Sequence, residues 1–106
     1  VIHSTDPTHL SMRGVPDPWV IREYYTEYAP LDSGMVVLAT VDRRSLPKDF
    51  EFANPGSSRQ PIPVSWYHEL EGARAWLTML GTRAETYSDA AFLNHLAGGI
   101  LWAAGQ

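Results

Sequence analysis

Residues 63–106 place two short aromatic strands, a tight turn, a polar loop and one helix in close succession. Residues 64–68 and 73–80 each alternate side chains between two faces, which is typical of strands. The short connection over 69–72 predicts that these strands pair as an antiparallel hairpin. Residues 89–104 have the apolar spacing of a helix. The segment therefore predicts a sheet combined with a helix.

The predicted helix carries its own start and stop signals. Ser88 or Asp89 can cap its N-terminus, and Gly105 can end it. Two glycines inside a helix cost roughly 1 kcal/mol each relative to alanine. Close approach to a sheet would offset that cost, so we expect Gly98 and Gly99 to face one. Six residues at helical spacing predict one buried apolar stripe: Phe92, Leu93, Leu96, Ile100, Leu101 and Ala104.

The first part of the chain contains two further strand patterns. Residues 35–41 form a continuous apolar run, which is typical of a strand buried on both faces in a mainly parallel α/β sheet. Residues 19–28 are rich in aromatic and β-branched side chains, so we expect a strand there as well. Residues 43–63 are rich in proline and predict a long loop, either functional or a surface insertion.

Composition excludes several classes of partner and site. The chain has 106 residues, a net charge of -4 and only 8 scattered Lys and Arg residues, which argues against nucleic-acid binding. No apolar run approaches the roughly 18 residues of a membrane span. The absence of cysteine excludes disulfides and thiolate metal sites. The histidines lack the close spacing of a metal motif, so no metal site is predicted. Neither a cofactor nor a compartment follows from the sequence.

Four segments near the end of the chain follow one another in an order that is typical of one protein family. The chain reads PVSW at 63–66, EGARAWLTMLGT at 71–82, YSDAAF at 87–92 and HLAGGILWAAG at 95–105. These segments resemble, in the same order, those of the ThuA-like (trehalose utilisation) family, which typically reads PVAW, GGRVFYTALGHT and HLLGGIRWAAG. Upstream, THL and MRGVP are similar to its HPI-x-x-GLP segment, and IREYY at 21–25 is similar to its acidic DE-x-Y box.

The resemblance implies an α/β domain with the flavodoxin-related, class I glutamine amidotransferase-like fold. The chain corresponds to the C-terminal half of that domain, so we expect residues 1–106 to form a single domain that is incomplete at its N-terminal side. Two positions depart from the family pattern. Thr82 replaces the histidine of the LGHT turn, and Arg22 replaces the aspartate of the acidic box. Threonine forms hydrogen bonds but cannot take up a proton near pH 7.

The resemblance, together with the chemistry of the residue types, gives the candidate site residues. His9 and Glu23 are the predicted acid/base pair, and Tyr24, Tyr25, Thr82 and Tyr87 are predicted to line a substrate site. For His9 the alternative is a turn residue that caps the backbone, and for Glu23 it is a solvated carboxylate on a strand edge. We expect Trp66, Trp76 and Trp102 to belong to the core.

The implied function is carbohydrate utilisation, with trehalose, a related disaccharide or an oxidised sugar as ligand and the reaction type undetermined. The alternative is a non-catalytic binding or structural module. Its exposed sheet edge would pair with another chain or with the missing half of the domain. Convergence of His9, Glu23 and Thr82 on one cleft would favour a site, whereas dispersal would favour a scaffold.

Overall fold

The computed structural model describes residues 1–21, 34–41 and 62–105. These residues form a four-stranded sheet, one α-helix and two short 3-10 helices. The strands lie side by side in chain order: β1 (Ile2–Ser4), β2 (Val36–Val41), β3 (Ile62–Leu70) and β4 (Ala73–Thr78). The helices are η1 (Leu10–Met12), η2 (Ala84–Ser88) and α1 (Ala90–Ala103). The predicted α/β class, hairpin and C-terminal helix are confirmed.

The described sheet is antiparallel throughout. Val41 lies opposite Ile2 on one side and opposite Ile62 on the other, and both pairings are antiparallel. The expectation that β2 belongs to a mainly parallel sheet is therefore wrong for the described strands. The physical reason is that a continuous apolar run reports burial on both faces and not strand direction. Its adjacent residues Leu38 and Ala39 are indeed both fully buried.

A tight turn joins β3 to β4, as predicted. Leu70 pairs with Ala73, and the two residues between them have positive φ angles, 52° at Glu71 and 82° at Gly72. Two successive positive φ values are the requirement of the two-residue turns that match the twist of a hairpin. The resulting register sets Tyr67 opposite Trp76. This pair lies on the sheet face that α1 covers, because the Trp76 ring contacts His95 of that helix.

Helix α1 begins and ends where the sequence predicts. The Asp89 side chain accepts a hydrogen bond of 2.8 Å from the Ala91 N–H, which satisfies one of the unpaired donors of the first turn. Gly105 follows the helix with a φ of 97°, the left-handed conformation that commonly ends helices.

The buried face of α1 differs from the predicted stripe. Phe92 is buried as expected, but Leu93, Ile100 and Leu101 are 48%, 65% and 50% exposed, and Ala104 is exposed as well. The face in contact with the rest of the protein contains His95, Gly98 and Gly99 instead. Hydrophobic spacing alone located the helix correctly, and Phe92 and Leu96 do pack against the core, but four of the six predicted residues are exposed. The two glycines, which a hydrophobicity pattern disregards, mark where the backbone makes its closest contacts.

Each glycine removes a specific steric conflict. A Cβ atom on Gly99 would overlap the Trp76 ring of β4, so this glycine faces the sheet as expected. A Cβ atom on Gly98 would overlap the Leu10 carbonyl and Ser11 Cα, so this glycine faces the backbone of η1. The close contact therefore joins three elements, α1, β4 and η1.

The N-terminal segment is attached to both the sheet and α1. Ile2 and Trp19 exchange two backbone hydrogen bonds of 2.8 Å, and the Trp19 indole N–H donates to Asp89 Oδ2 at 3.2 Å. Of the strand predicted over 19–28, only residues 19–21 are described, and Trp19 forms an isolated bridge there. Strand β3 begins at Ile62, so the last two residues of the predicted loop lie in the sheet. Residues 43–61 lie outside the described residues.

Among the described residues, no helix has the length and apolar character that crossing a membrane requires.

Substituting Gly98→Ala should lower the free energy of unfolding by about 1–3 kcal/mol, the usual effect of overpacking. Helix propensity alone predicts the opposite, a gain of about 1 kcal/mol. The reciprocal variant Ala97→Gly, on the exposed face of α1, should lose only about 1 kcal/mol from propensity. Urea denaturation of the three proteins measures both effects. A Gly98→Ala protein more stable than the wild type would contradict the close contact between α1 and η1.

Candidate functional site

His9 is held by a compact loop that precedes η1. Asp6 Oδ1 accepts hydrogen bonds from the Thr8 N–H at 3.2 Å and from its hydroxyl at 2.7 Å. His9 then caps η1, because its Nδ1 accepts from the Ser11 N–H at 3.1 Å and lies 2.9 Å from Ser11 Oγ. A backbone N–H can only donate, so Nδ1 carries a lone pair and the imidazole proton is on Nε2. The capping role considered for His9 is confirmed.

The imidazole of His9 packs against two aromatic rings, those of Tyr67 and Trp102. Its centroid is 5.0 Å from that of Tyr67, with the rings nearly parallel at 25°, and 5.1 Å from that of Trp102. Tyr67 and Trp102 are themselves 4.7 Å apart. The guanidinium carbon of Arg74 lies 4.8 Å from the Trp102 ring centroid, and Arg74 Nη1 donates to the Trp102 carbonyl at 2.9 Å. We call these four residues the His9 cluster.

The His9 cluster keeps its imidazole neutral near pH 7. Burial lowers the pKa of His9 below its ordinary value of 6.5, and the positive charges of Arg13 and Arg74 lower it further, while the Asp6 carboxylate opposes them. His9 Nε2 is buried and has no hydrogen-bond partner within the described part of the chain. A neutral imidazole with its proton on Nε2 is a hydrogen-bond donor at that atom. The cluster therefore combines aromatic surface with one unused donor and one cation.

A second histidine, His95, was overlooked by the sequence reasoning and is completely buried. Its Nδ1 lies 2.9 Å from the Ser11 carbonyl, which can only accept, so Nδ1 carries the proton. Its Nε2 therefore accepts from the Thr78 hydroxyl, also at 2.9 Å. Burial lowers the pKa of His95. The available signal was position, because His95 precedes Gly98 and Gly99 by three and four residues and so shares their helix face.

Thr82 and Tyr87 lie near the N-terminal end of α1. The Tyr87 hydroxyl donates to the Gly81 carbonyl at 2.9 Å, and its ring meets Phe92 edge to face at 5.2 Å. Gly81 has a φ of 98°, and Thr82, which follows it, is exposed. The Tyr87 side chain therefore closes the turn that carries Thr82.

The described candidates form two groups and not one cleft. His9 contacts Trp102 in the last turn of α1, whereas Tyr87 contacts Phe92 in its first turn. Ten helical residues separate these contacts, about 15 Å along the axis. Glu23, Tyr24 and Tyr25 lie outside the described residues. Trp66 is buried as expected, but Trp102, predicted for the core, is only half-buried and belongs to the His9 cluster.

Comparison with known proteins identifies the family. A family model described as ThuA, trehalose utilisation, matches residues 1–103, which is nearly the whole chain. The chain belongs to the ThuA family. This membership implies a role in trehalose utilisation and agrees with the α/β fold. No curated protein and no solved structure gives a match. The family match thus supplies the general role and no specific reaction.

The two neutral histidines should make the stability of this ThuA-family chain depend on pH. Because their pKa values are lowered by folding, the unfolded chain binds protons more tightly. The free energy of unfolding should reach its full value above pH 6.5 and should fall as the pH decreases below that value. Urea denaturation at about pH 7.5 and about pH 5.5 tests this expectation.

The variant His95→Asn should lose less unfolding free energy between about pH 7.5 and about pH 5.5 than the wild type, since it removes one of the two histidines whose pKa is lowered. The pKa of Asp6, which its hydrogen bond from Thr8 lowers from 3.8, should affect stability only at more acidic pH. Equal or greater stability at the lower pH would contradict the neutral assignment of both imidazoles.

Proposed function

We propose that the chain binds a carbohydrate at the His9 cluster, and that this binding is its part in trehalose utilisation. The ligand class is trehalose, a related disaccharide or an oxidised derivative of one. The observation that carries the proposal is the juxtaposition of Tyr67 and Trp102 with the buried N–H of His9 and the guanidinium of Arg74. Small-molecule sites characteristically combine aromatic walls with a few convergent polar groups.

Each member of the cluster has a distinct role in this proposal. The half-buried rings of Tyr67 and Trp102 offer apolar surface to the C–H face of a sugar. The Nε2–H of His9 donates to a sugar oxygen. This N–H has no acceptor among the described residues, and the sugar provides one. The guanidinium of Arg74 donates to hydroxyls, or to the carboxylate of an oxidised sugar.

The acid/base assignment rests on the geometry of His9 and, for Glu23, on the family resemblance alone. His9 Nδ1 is occupied by the Ser11 N–H, and the pKa of His9 is lowered by burial, so this ring suits donation from Nε2 better than proton uptake. We propose that Glu23 takes the proton in any reaction that follows binding, with Tyr24 and Tyr25 beside the ligand. Binding comes before any such reaction, so a binding experiment applies to an enzyme and to a non-catalytic module alike.

The Trp102→Ala variant should bind trehalose, or the corresponding sugar acid, at least about tenfold more weakly, a loss of about 1.4 kcal/mol. Isothermal titration calorimetry with each sugar measures this change. Tyr87→Phe is the matched control, because it removes a polar group at the opposite end of α1 and should change affinity less than about twofold. A loss of affinity in Tyr87→Phe without one in Trp102→Ala would place the sugar at Thr82 and Tyr87 and reject the His9 cluster.

A specific observation also favours the second candidate, a non-catalytic binding or structural module that pairs with another chain, such as a second copy of itself. The 14 residues of α1 contain no charged side chain, and the helix exposes Leu93, Ile100 and Leu101. Contiguous exposed apolar surface on a helix is characteristic of a protein interface. In this proposal the exposed face of α1, and not only the edge of the sheet, meets the partner.

Replacing Leu93 and Ile100 together by lysine should shift the chain from associated species to monomer in sedimentation velocity at micromolar concentration. The substitutions place charge on an exposed surface, so the fold should be retained. Leu70→Lys is the control, since Leu70 is 63% exposed on the hairpin and away from α1. A wild-type chain that is monomeric at every concentration tested would reject self-association through this face.

A further inference from the structure

His95 connects the two groups of candidate residues that α1 separates. On one side its Nδ1–H donates to the Ser11 carbonyl, and the same Ser11 residue donates its N–H to His9 Nδ1. On the other side His95 Nε2 accepts from the Thr78 hydroxyl, whose oxygen accepts the Leu80 N–H at 3.4 Å. Leu80 immediately precedes Gly81 and Thr82. One imidazole therefore holds η1 and the end of β4 at fixed positions.

The surroundings of His95 leave the imidazole little freedom to adopt another arrangement. The ring is completely buried and meets Trp76 and Trp19 edge to face, with centroid distances of 4.9 Å and 5.7 Å. Gly98 lies one turn further along the same face and admits the backbone of Leu10 and Ser11 against α1. This close approach brings the Ser11 carbonyl within reach of His95 Nδ1.

We infer that His95 is a positioning residue for the His9 cluster, an inference that rests on the proposed sugar-binding function. The Ser11 carbonyl accepts from His95, which orients the peptide segment that carries the Ser11 N–H. That N–H in turn keeps the lone pair of His9 on Nδ1 and the proton on Nε2, where the proposed ligand accepts it. His95 acts through Ser11 and does not itself touch the sugar.

Two substitutions each keep one hydrogen bond of His95 and remove the other, and both replace the imidazole ring by a side-chain amide. The amide of asparagine occupies the place of Nδ1, so His95→Asn can still donate to the Ser11 carbonyl. The amide of glutamine reaches the place of Nε2, so His95→Gln can still accept from Thr78 but loses the bond to Ser11. Both variants should be destabilised. Only His95→Gln should perturb His9.

The readout is the imidazole nitrogen spectrum of His9 by NMR near pH 7.5, together with trehalose affinity, in the full chain. His95→Gln should lose the pure Nε2–H signature of His9 and bind the sugar at least tenfold more weakly. His95→Asn should keep that signature and bind within threefold of the wild type. Equal losses in the two variants, in proportion to their stability, would overturn the positioning role and leave a merely structural one.

The wild-type protein alone also tests the positioning role, should either variant fail to fold. The nitrogen spectrum of the wild type should show His95 as the Nδ1–H tautomer and His9 as the Nε2–H tautomer. The opposite tautomer on His95, or a protonated ring at that pH, would overturn the inference. Failure of the proposed function is distinguishable, because the wild type would then bind no sugar while both tautomer signatures and the effect of His95→Gln on His9 persist.

Discussion

The close contact of α1 with η1 and β4 is the constraint on which the other described features depend. Gly98 and Gly99 provide the space for it, and His95 supplies the hydrogen bonds within it. Buried polar groups are costly unless they are paired, and His95 satisfies both of its nitrogens with partners from different elements. The contact explains why the helix tolerates two residues that disfavour helices. It also explains why Leu93, Ile100 and Leu101 face outward.

This arrangement sets where the candidate functional groups lie. The C-terminal end of α1 carries Trp102 to the ring of His9, while the N-terminal end carries Phe92 to Tyr87. A single cleft that contains both His9 and Thr82 is not formed by the described residues. Family membership therefore transfers the general role to this chain more securely than it transfers individual residues.

Local signals predicted the parts of the fold that local physics determines. The tight turn within 69–72, the cap at Ser88 or Asp89 and the stop at Gly105 each depend on a few adjacent residues. All three features are present, with Asp89 as the cap. Strand direction in β2 depends on distant partners and was predicted wrongly. The buried face of α1 also depends on them, and only Phe92 and Leu96 of its six predicted residues pack against the core. The same limit applies to the site. His9 was identified through a family motif, but its neighbours Tyr67, Arg74 and Trp102 come together only through tertiary contacts.

The most direct test of this account is a map of backbone and indole NMR shifts while trehalose, and then a sugar acid, is added to the full chain. The account predicts that the Trp102 indole, the Arg74 amide and the Ser11 amide shift with a common dissociation constant. Thr82 and Tyr87 should remain unchanged. Shifts confined to Thr82, Tyr87 and their neighbours would contradict the central claim that the sugar binds at the C-terminal end of α1.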